Sequence, residues 1–382
     1  MMKRLIQVFG VVLPVFTLAM AHAQQGAGGE PPAMRSSVDR AVQVPVTVRD
    51  KKGTLITSLA KGDVVLTEDG RPQVIQSFSR ASDLPFQIGL IVDTSRGMSG
   101  ALEMERKALN HVVDRVLDAP QAGEAGTSGD EVFLMHFDRE VELIVDFTRA
   151  AEKLHREIDD LSATARSSQD RDGPETTGDD RERTRASRGS TQLYDAIFLA
   201  SDELMKPKTG RKVLIVFSDG VDNGSKESMS EALDAADHAG LSIYTIYLKG
   251  ESDRGDNPFE DRRRGGTGGG YPGGGGRYPG GGGGYPGGGH GSGEKARVDG
   301  KKILAQLADR TGGQAFEAKK RENLVEIYDL IAEELRAQYL LTYTPDVVDK
   351  DGGYHKIVLK PNKSDLTVTT REGYYAPGGD AR

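Results

Sequence analysis

The sequence predicts an α/β protein: a domain with a mostly parallel sheet covered by helices, plus a smaller β-sandwich-like module built from the two flanks. Three observations carry this expectation. Ile88-Gly89-Leu90-Ile91-Val92 and Val213-Leu214-Ile215-Val216-Phe217 are near-continuous apolar runs, the mark of strands buried on both faces. Apolar stripes at helical spacing alternate with such runs. The β segments before and after them are too few at either end to bury a core alone.

Residues 1–23 read as an export signal. Lys3 and Arg4 precede an apolar run from Leu5 to Met20, and Ala21-His22-Ala23 has the small-x-small form of a cleavage site. The run is short for a bilayer span, and no later segment is long and apolar enough to cross a membrane. The mature chain is therefore expected in the periplasm or outside the cell, without a transmembrane segment. Residues 24–40, rich in Gly, Pro and Ser, form a flexible leader.

Residues 41–82 carry β signals. Val42, Val44, Val46 and Val48 alternate with other residues. Pro45 cannot donate to a ladder, which places that strand at an edge or a bulge. Val64 to Gly70 reads as a strand entering a tight turn, with Gln73 to Phe78 as its return.

The α/β domain spans residues 86–318. After the first apolar strand, Ala101 to Leu117 has helical spacing. Val132–Met135 and Val141–Val145 flank a polar turn, as a hairpin does. Then follow a helix over Leu193–Met205, the Val213 strand, a helix over Ser228–His238, a strand over Leu241–Leu248, a helix over Gly300–Thr311 and a strand over Gln314–Glu317. Two insertions interrupt this order. Residues 163–188 are densely charged with both signs, as a solvated loop is. Residues 251–293 repeat Tyr-Pro and glycine runs with period seven (Tyr271, Tyr278, Tyr285), a composition that cannot bury a core. A helix over 321–338 leads to strands within 339–377, expected to pack with the N-terminal module.

Composition excludes several chemistries. The 382 residues carry a formal net charge of -8, against a nucleic-acid backbone as partner. There is no cysteine, so disulfides, thiolate catalysis and Cys-type zinc sites are excluded.

Ligands of open α/β sheets bind at the carboxyl ends of the strands. Asp93-Thr94-Ser95-Arg96-Gly97 and Ser218-Asp219-Gly220-Val221-Asp222 fall there, and between them Thr191 stands at a helix start. Carboxylate and hydroxyl oxygens with waters suit Mg²⁺. A divalent cation is expected, Mg²⁺ first, with Mn²⁺ or Ca²⁺ as alternatives.

The order Asp93-x-Ser95, Thr191, Asp219 resembles the metal-ion-dependent adhesion site of von Willebrand factor type A domains. Val46–Asp50 and Leu66–Gly70 in front, with Gln338–Tyr343 and Gly373–Pro377 behind, resemble a secreted bacterial family related to these domains. The resemblance implies a three-layer, Rossmann-like domain that binds proteins, an acidic residue of the partner completing the metal shell. It implies Asp93, Ser95, Thr191 and Asp219 as metal ligands. Where the family has a second serine, this chain has Gly97. Ser99 could replace it only in a rearranged loop, and Arg96 sets a positive charge beside the site. Ser99, Arg96 and Asp222 are the further candidates for the metal shell or for partner contact.

Two other readings stand beside adhesion. A structural envelope scaffold would keep the domain with a degenerate metal site. An Asp-dependent phosphotransferase would need a second carboxylate where Ser95 stands. Neither a Gly-x-Ser-x-Gly elbow nor a Walker motif occurs, so no enzymatic activity is expected.

Overall fold

The computed structural model describes residues 41–80, 84–117, 129–162, 191–249, 299–318, 323–347 and 352–376. The export signal, the leader and both insertions lie outside the described residues.

The central sheet has six strands: β5 (Phe86–Asp93), β6 (Glu131–Phe137), β7 (Val141–Thr148), β8 (Arg211–Ser218), β9 (Ser242–Tyr247) and β10 (Ala315–Glu317). Their order is β10-β9-β8-β5-β6-β7, parallel except for the edge strand β7. Period-two alternation along β5 supplies both faces at once. Ile88, Leu90 and Val92 join one core with α1 (Leu102–Leu117), α2 (Ala151–Asp160) and α6 (Leu324–Ala337). Ile91 joins the other, with α3 (Leu193–Leu199), α4 (Met229–Ala239) and α5 (Gly300–Thr311). Gly89 is required on that second face, since a Cβ there would lie 2.3 Å from Cζ of Phe133.

The helix predicted over Leu193–Met205 divides at Ala200 into an α segment and a π turn. Ser201 donates its hydroxyl to the Ile197 carbonyl at 2.7 Å, a back-bond that bends helices. Helix α2 was not legible in the sequence. Only Leu154 and Ile158 are buried along it, too few apolar positions to stand out from its charged residues.

The flanks supply eight short strands: β1 (Val42–Asp50), β2 (Val64–Glu68), β3 (Arg71–Pro72), β4 (Ile75–Arg80), β11 (Tyr339–Tyr343), β12 (Tyr354–Pro361), β13 (Leu366–Thr369) and β14 (Gly373–Tyr375). They form two four-stranded sheets, β13-β1-β11-β4 and β14-β12-β2-β3, each drawing strands from both ends of the chain. One core joins the two sheets, with Val44, Val46 and Leu66 against Tyr339, Leu341, Ile357 and Leu359.

Two expectations for this module are corrected. β1 is an interior strand, not an edge. Its pairing with β11 covers Val42–Val46, and pairing with β13 begins only at Thr47. Pro45 therefore stands where one side of the strand has no ladder, and its missing N–H costs nothing there. The return after Gly70 is also shorter than expected. Only Arg71–Pro72 pairs with β2, whereas β4 crosses to pair with β11 in the opposite sheet. β12 takes the place beside β2 that the local hairpin left open.

Candidate metal centre

Asp93 ends β5 at the carboxyl edge of the sheet and is fully buried. Its Oδ1 accepts the Ser95 N–H at 2.9 Å, and its Oδ2 accepts the Ser218 hydroxyl at 2.7 Å. Burial pushes the Asp93 carboxyl up to about 7. The Asp219 carboxylate pushes the same way, against the hydrogen bonds from Ser95 and Ser218. Parallel pairing of β5 with β8 is what brings the two acidic loops side by side.

Ser95 opens a 3₁₀ turn, Arg96–Met98. Met98 is buried beneath it, while Arg96 is exposed. The Ser99 hydroxyl donates to the Arg96 carbonyl at 2.9 Å. In this conformation Ser99 closes the turn.

Thr191 is buried just before α3. Hydrogen bonds tie its segment to both neighbours. Its N–H donates to Asn223 Oδ1 at 2.8 Å, Asn223 N–H donates back to the Thr191 carbonyl, and Gln192 N–H reaches the Asp138 carbonyl beyond β6. Thr94 N–H reaches the Phe137 carbonyl at the end of the same strand. The three loops are thus laced together at one end of the sheet. Asp222 serves a different purpose. Its Oδ1 accepts the Ser225 hydroxyl at 2.5 Å and the Tyr194 N–H at 3.3 Å, capping the first turn of α3.

Four features of the site were not recognised from sequence. Ser218 holds Asp93 and also accepts the Gly220 N–H at 2.9 Å. Gly220 has φ +72°, and a Cβ there would lie 2.2 Å from the Gly300 carbonyl oxygen. Asp195 accepts the N–H groups of Lys226 and Glu227, pinning the loop after β8. Thr94 meets His136 Nδ1 at 2.8 Å, and His136 Nε2 meets Glu142 at 3.0 Å, fixing the loop from below. Ser218 and Gly220 stand next to Asp219 in the sequence, but no local pattern says that they reach β5 and α5.

The donor set fits a hard divalent cation: two carboxylates and two hydroxyl side chains, all oxygen, on interlocked loops. The raised Asp93 value has the sign expected of a site for a cation, set first by burial and then by the neighbouring Asp219 carboxylate.

The family model for the von Willebrand factor type A domain matches residues 88–221, from β5 through the loop that carries Asp219. The chain carries a von Willebrand factor type A domain. The matched stretch covers β5 to β8 of the six-stranded sheet with α1, α2 and α3, and includes Asp93, Ser95, Thr191 and Asp219. Similar solved structures include proximal thread matrix protein 1 from the mussel byssus with a zinc-occupied MIDAS motif. It is 12% identical, with a TM-score of 0.42 over 69% of this chain and 48% of that one. An aerotolerance-related membrane protein from Bacteroides fragilis is 14% identical, with a TM-score of 0.40 over 65% of this chain and 98% of that one. The vWF domain of the type V pili tip protein Mfa5 from Porphyromonas gingivalis is 13% identical, with a TM-score of 0.40 over 66% and 95%. This chain spans about half the length of the mussel protein. No curated protein matches the chain.

Proposed function

We propose that this chain is an exported module that binds protein partners with the help of a divalent cation, and that it is not an enzyme. The observation that carries this reading is the fully buried Asp93 carboxylate facing Asp219 at the open edge of the sheet. Asp93, Ser95, Thr191 and Asp219 would hold the cation, which would offer a partner's carboxylate a coordination position. Arg96, exposed on the loop that follows Asp93, favours an acidic partner group by simple charge attraction. Gly97 leaves a ligand position to water, so affinity is expected below that of a site with the second hydroxyl. The bound ion is expected to be Mg²⁺ or Mn²⁺, and the setting the periplasm or the exterior. Among the described residues no helix is long and apolar enough to cross a membrane.

Calorimetric titration with Mg²⁺ and Mn²⁺ tests the site. Heat of binding that Asp93→Ala abolishes supports it; no heat, or heat indifferent to that substitution, rejects it. Capture of partners from envelope extract, with and without chelator, tests the function. Metal-sensitive capture supports adhesion. Chelator-indifferent capture favours the scaffold reading, to which the engaged Ser99 hydroxyl and Gly97 lend weight. Phosphatase turnover lost in Asp93→Asn would overturn the non-enzymatic reading.

A further inference from the structure

A second group of metal-ligating side chains lies in the flanking module. Glu68 ends β2, Asp69 begins the turn after it, and His355 lies on β12, the neighbouring strand. Their ligand atoms lie within 4.8 Å of one another. The arrangement has one organising feature: each carboxylate spends one oxygen on the protein and presents the other to the same imidazole nitrogen. Glu68 Oε2 accepts the hydroxyls of Tyr343 and, at 3.2 Å, Tyr374. Its Oε1 lies 3.9 Å from His355 Nδ1. Asp69 Oδ1 accepts the Lys356 N–H at 2.9 Å, and its Oδ2 lies 2.8 Å from the same Nδ1.

Both carboxylates pair with His355, Asp69 closely at 2.8 Å and Glu68 only at 3.9 Å. The Glu68 carboxylate is almost wholly buried, and 3.9 Å is too long for a hydrogen bond to His355. A cation between the three groups relates these distances. Zinc bonds of about 2.0–2.2 Å in tetrahedral array set ligand atoms about 3.4 Å apart, between the two observed separations. The outer partners are of the kind that orient metal ligands. Asp69 remains the more exposed member, at 35%, leaving an approach for the ion and for a water ligand.

We propose that Glu68, Asp69 and His355 form a second cation site, for a borderline ion such as Zn²⁺, separate from the oxygen-only site at Asp93. Mixed imidazole and carboxylate donors suit zinc, with the fourth position left to water. The bound ion would staple the front of the chain to its tail across the inserted type A domain, since Asp69 and His355 are 286 residues apart in sequence.

Cobalt spectroscopy on the tag-free mature chain tests this. Co²⁺ is expected to give the visible band of a four-coordinate site, displaced by one equivalent of Zn²⁺ and retained in Asp93→Ala. Zn²⁺ is expected to raise the melting temperature by several degrees in both proteins. His355→Asn should remove the band and the melting shift. Asp69→Asn serves if that variant misfolds. Asp69 has φ +49°, which Asn tolerates, so the turn survives while affinity falls roughly 10- to 100-fold or more. No band in the parent chain, or a band untouched by His355→Asn and Asp69→Asn, overturns the proposal. A band lost in Asp93→Ala assigns the ion to the other site and overturns it equally.

Discussion

Gly220 shows how little room the metal-site loops have. Its φ of +72° disfavours any side chain, and the Gly300 carbonyl already occupies the Cβ position. Gly220→Ala should therefore cost about 2 kcal/mol or more, read as a lower denaturation midpoint with unchanged slope. Glu105 is a second singular residue, buried between α1 and α6. Its Oε1 accepts the Tyr328 hydroxyl at 2.5 Å, and its Oε2 meets no partner among the described residues. Burial raises it to about 8 from an ordinary 4.5, against the Tyr328 hydrogen bond. The folded chain thus keeps a proton that the unfolded chain releases between about pH 4.5 and 8. The sign follows: this group erodes stability as pH rises through that window, by a few kcal/mol in total. Glu105→Gln should flatten that decline in denaturant titrations at about pH 5 and pH 8. An unchanged slope would mean that the carboxyl is ionised throughout.

Among the elements, those of the type A domain other than α2 were legible because each carries its own signal. The predicted helix over Ser228–His238 is α4 shifted by one residue, and its start is written locally. The Ser228 hydroxyl accepts the Glu231 N–H, and Glu231 Oε2 accepts the Ser228 N–H at 2.8 Å. Ser228→Ala should cost about 1 kcal/mol, measurable by chemical denaturation. β4 was misplaced for the opposite reason. Its own pattern says strand, but the choice between β2 and β11 as partner depends on a segment more than 250 residues away. Ser99 and Asp222 were legible as polar residues near the site. Their engagement in a turn and a helix cap came only with the fold.

For the whole molecule, Glu334 is the clearest link between the domain and the module. This buried carboxylate on α6 accepts hydroxyls from Thr47 on β1 and Tyr244 on β9, at 3.1 and 2.9 Å. Arg49 pairs with its other oxygen at 2.5 Å. Glu334→Ala removes the carboxylate that Arg49, Thr47 and Tyr244 share and should cost about 3 kcal/mol. The parent chain should unfold in one transition, and the variant should separate module from domain in calorimetry. Residues 41–80 expressed alone should show no cooperative unfolding, because the module's core draws on both ends of the chain.

The sequence by itself determined the alternation of strands and helices, the inserted position of the α/β domain, and the three loops that carry Asp93, Thr191 and Asp219. Hydrophobic period and turn chemistry are local properties, and they mark which face of an element is buried. Only the tertiary structure decided which strands of the flanks pair, that Ser218 holds Asp93, and that Glu68 and Asp69 face His355. Those outcomes depend on which buried faces and polar groups satisfy one another across hundreds of residues, a choice that no local window contains.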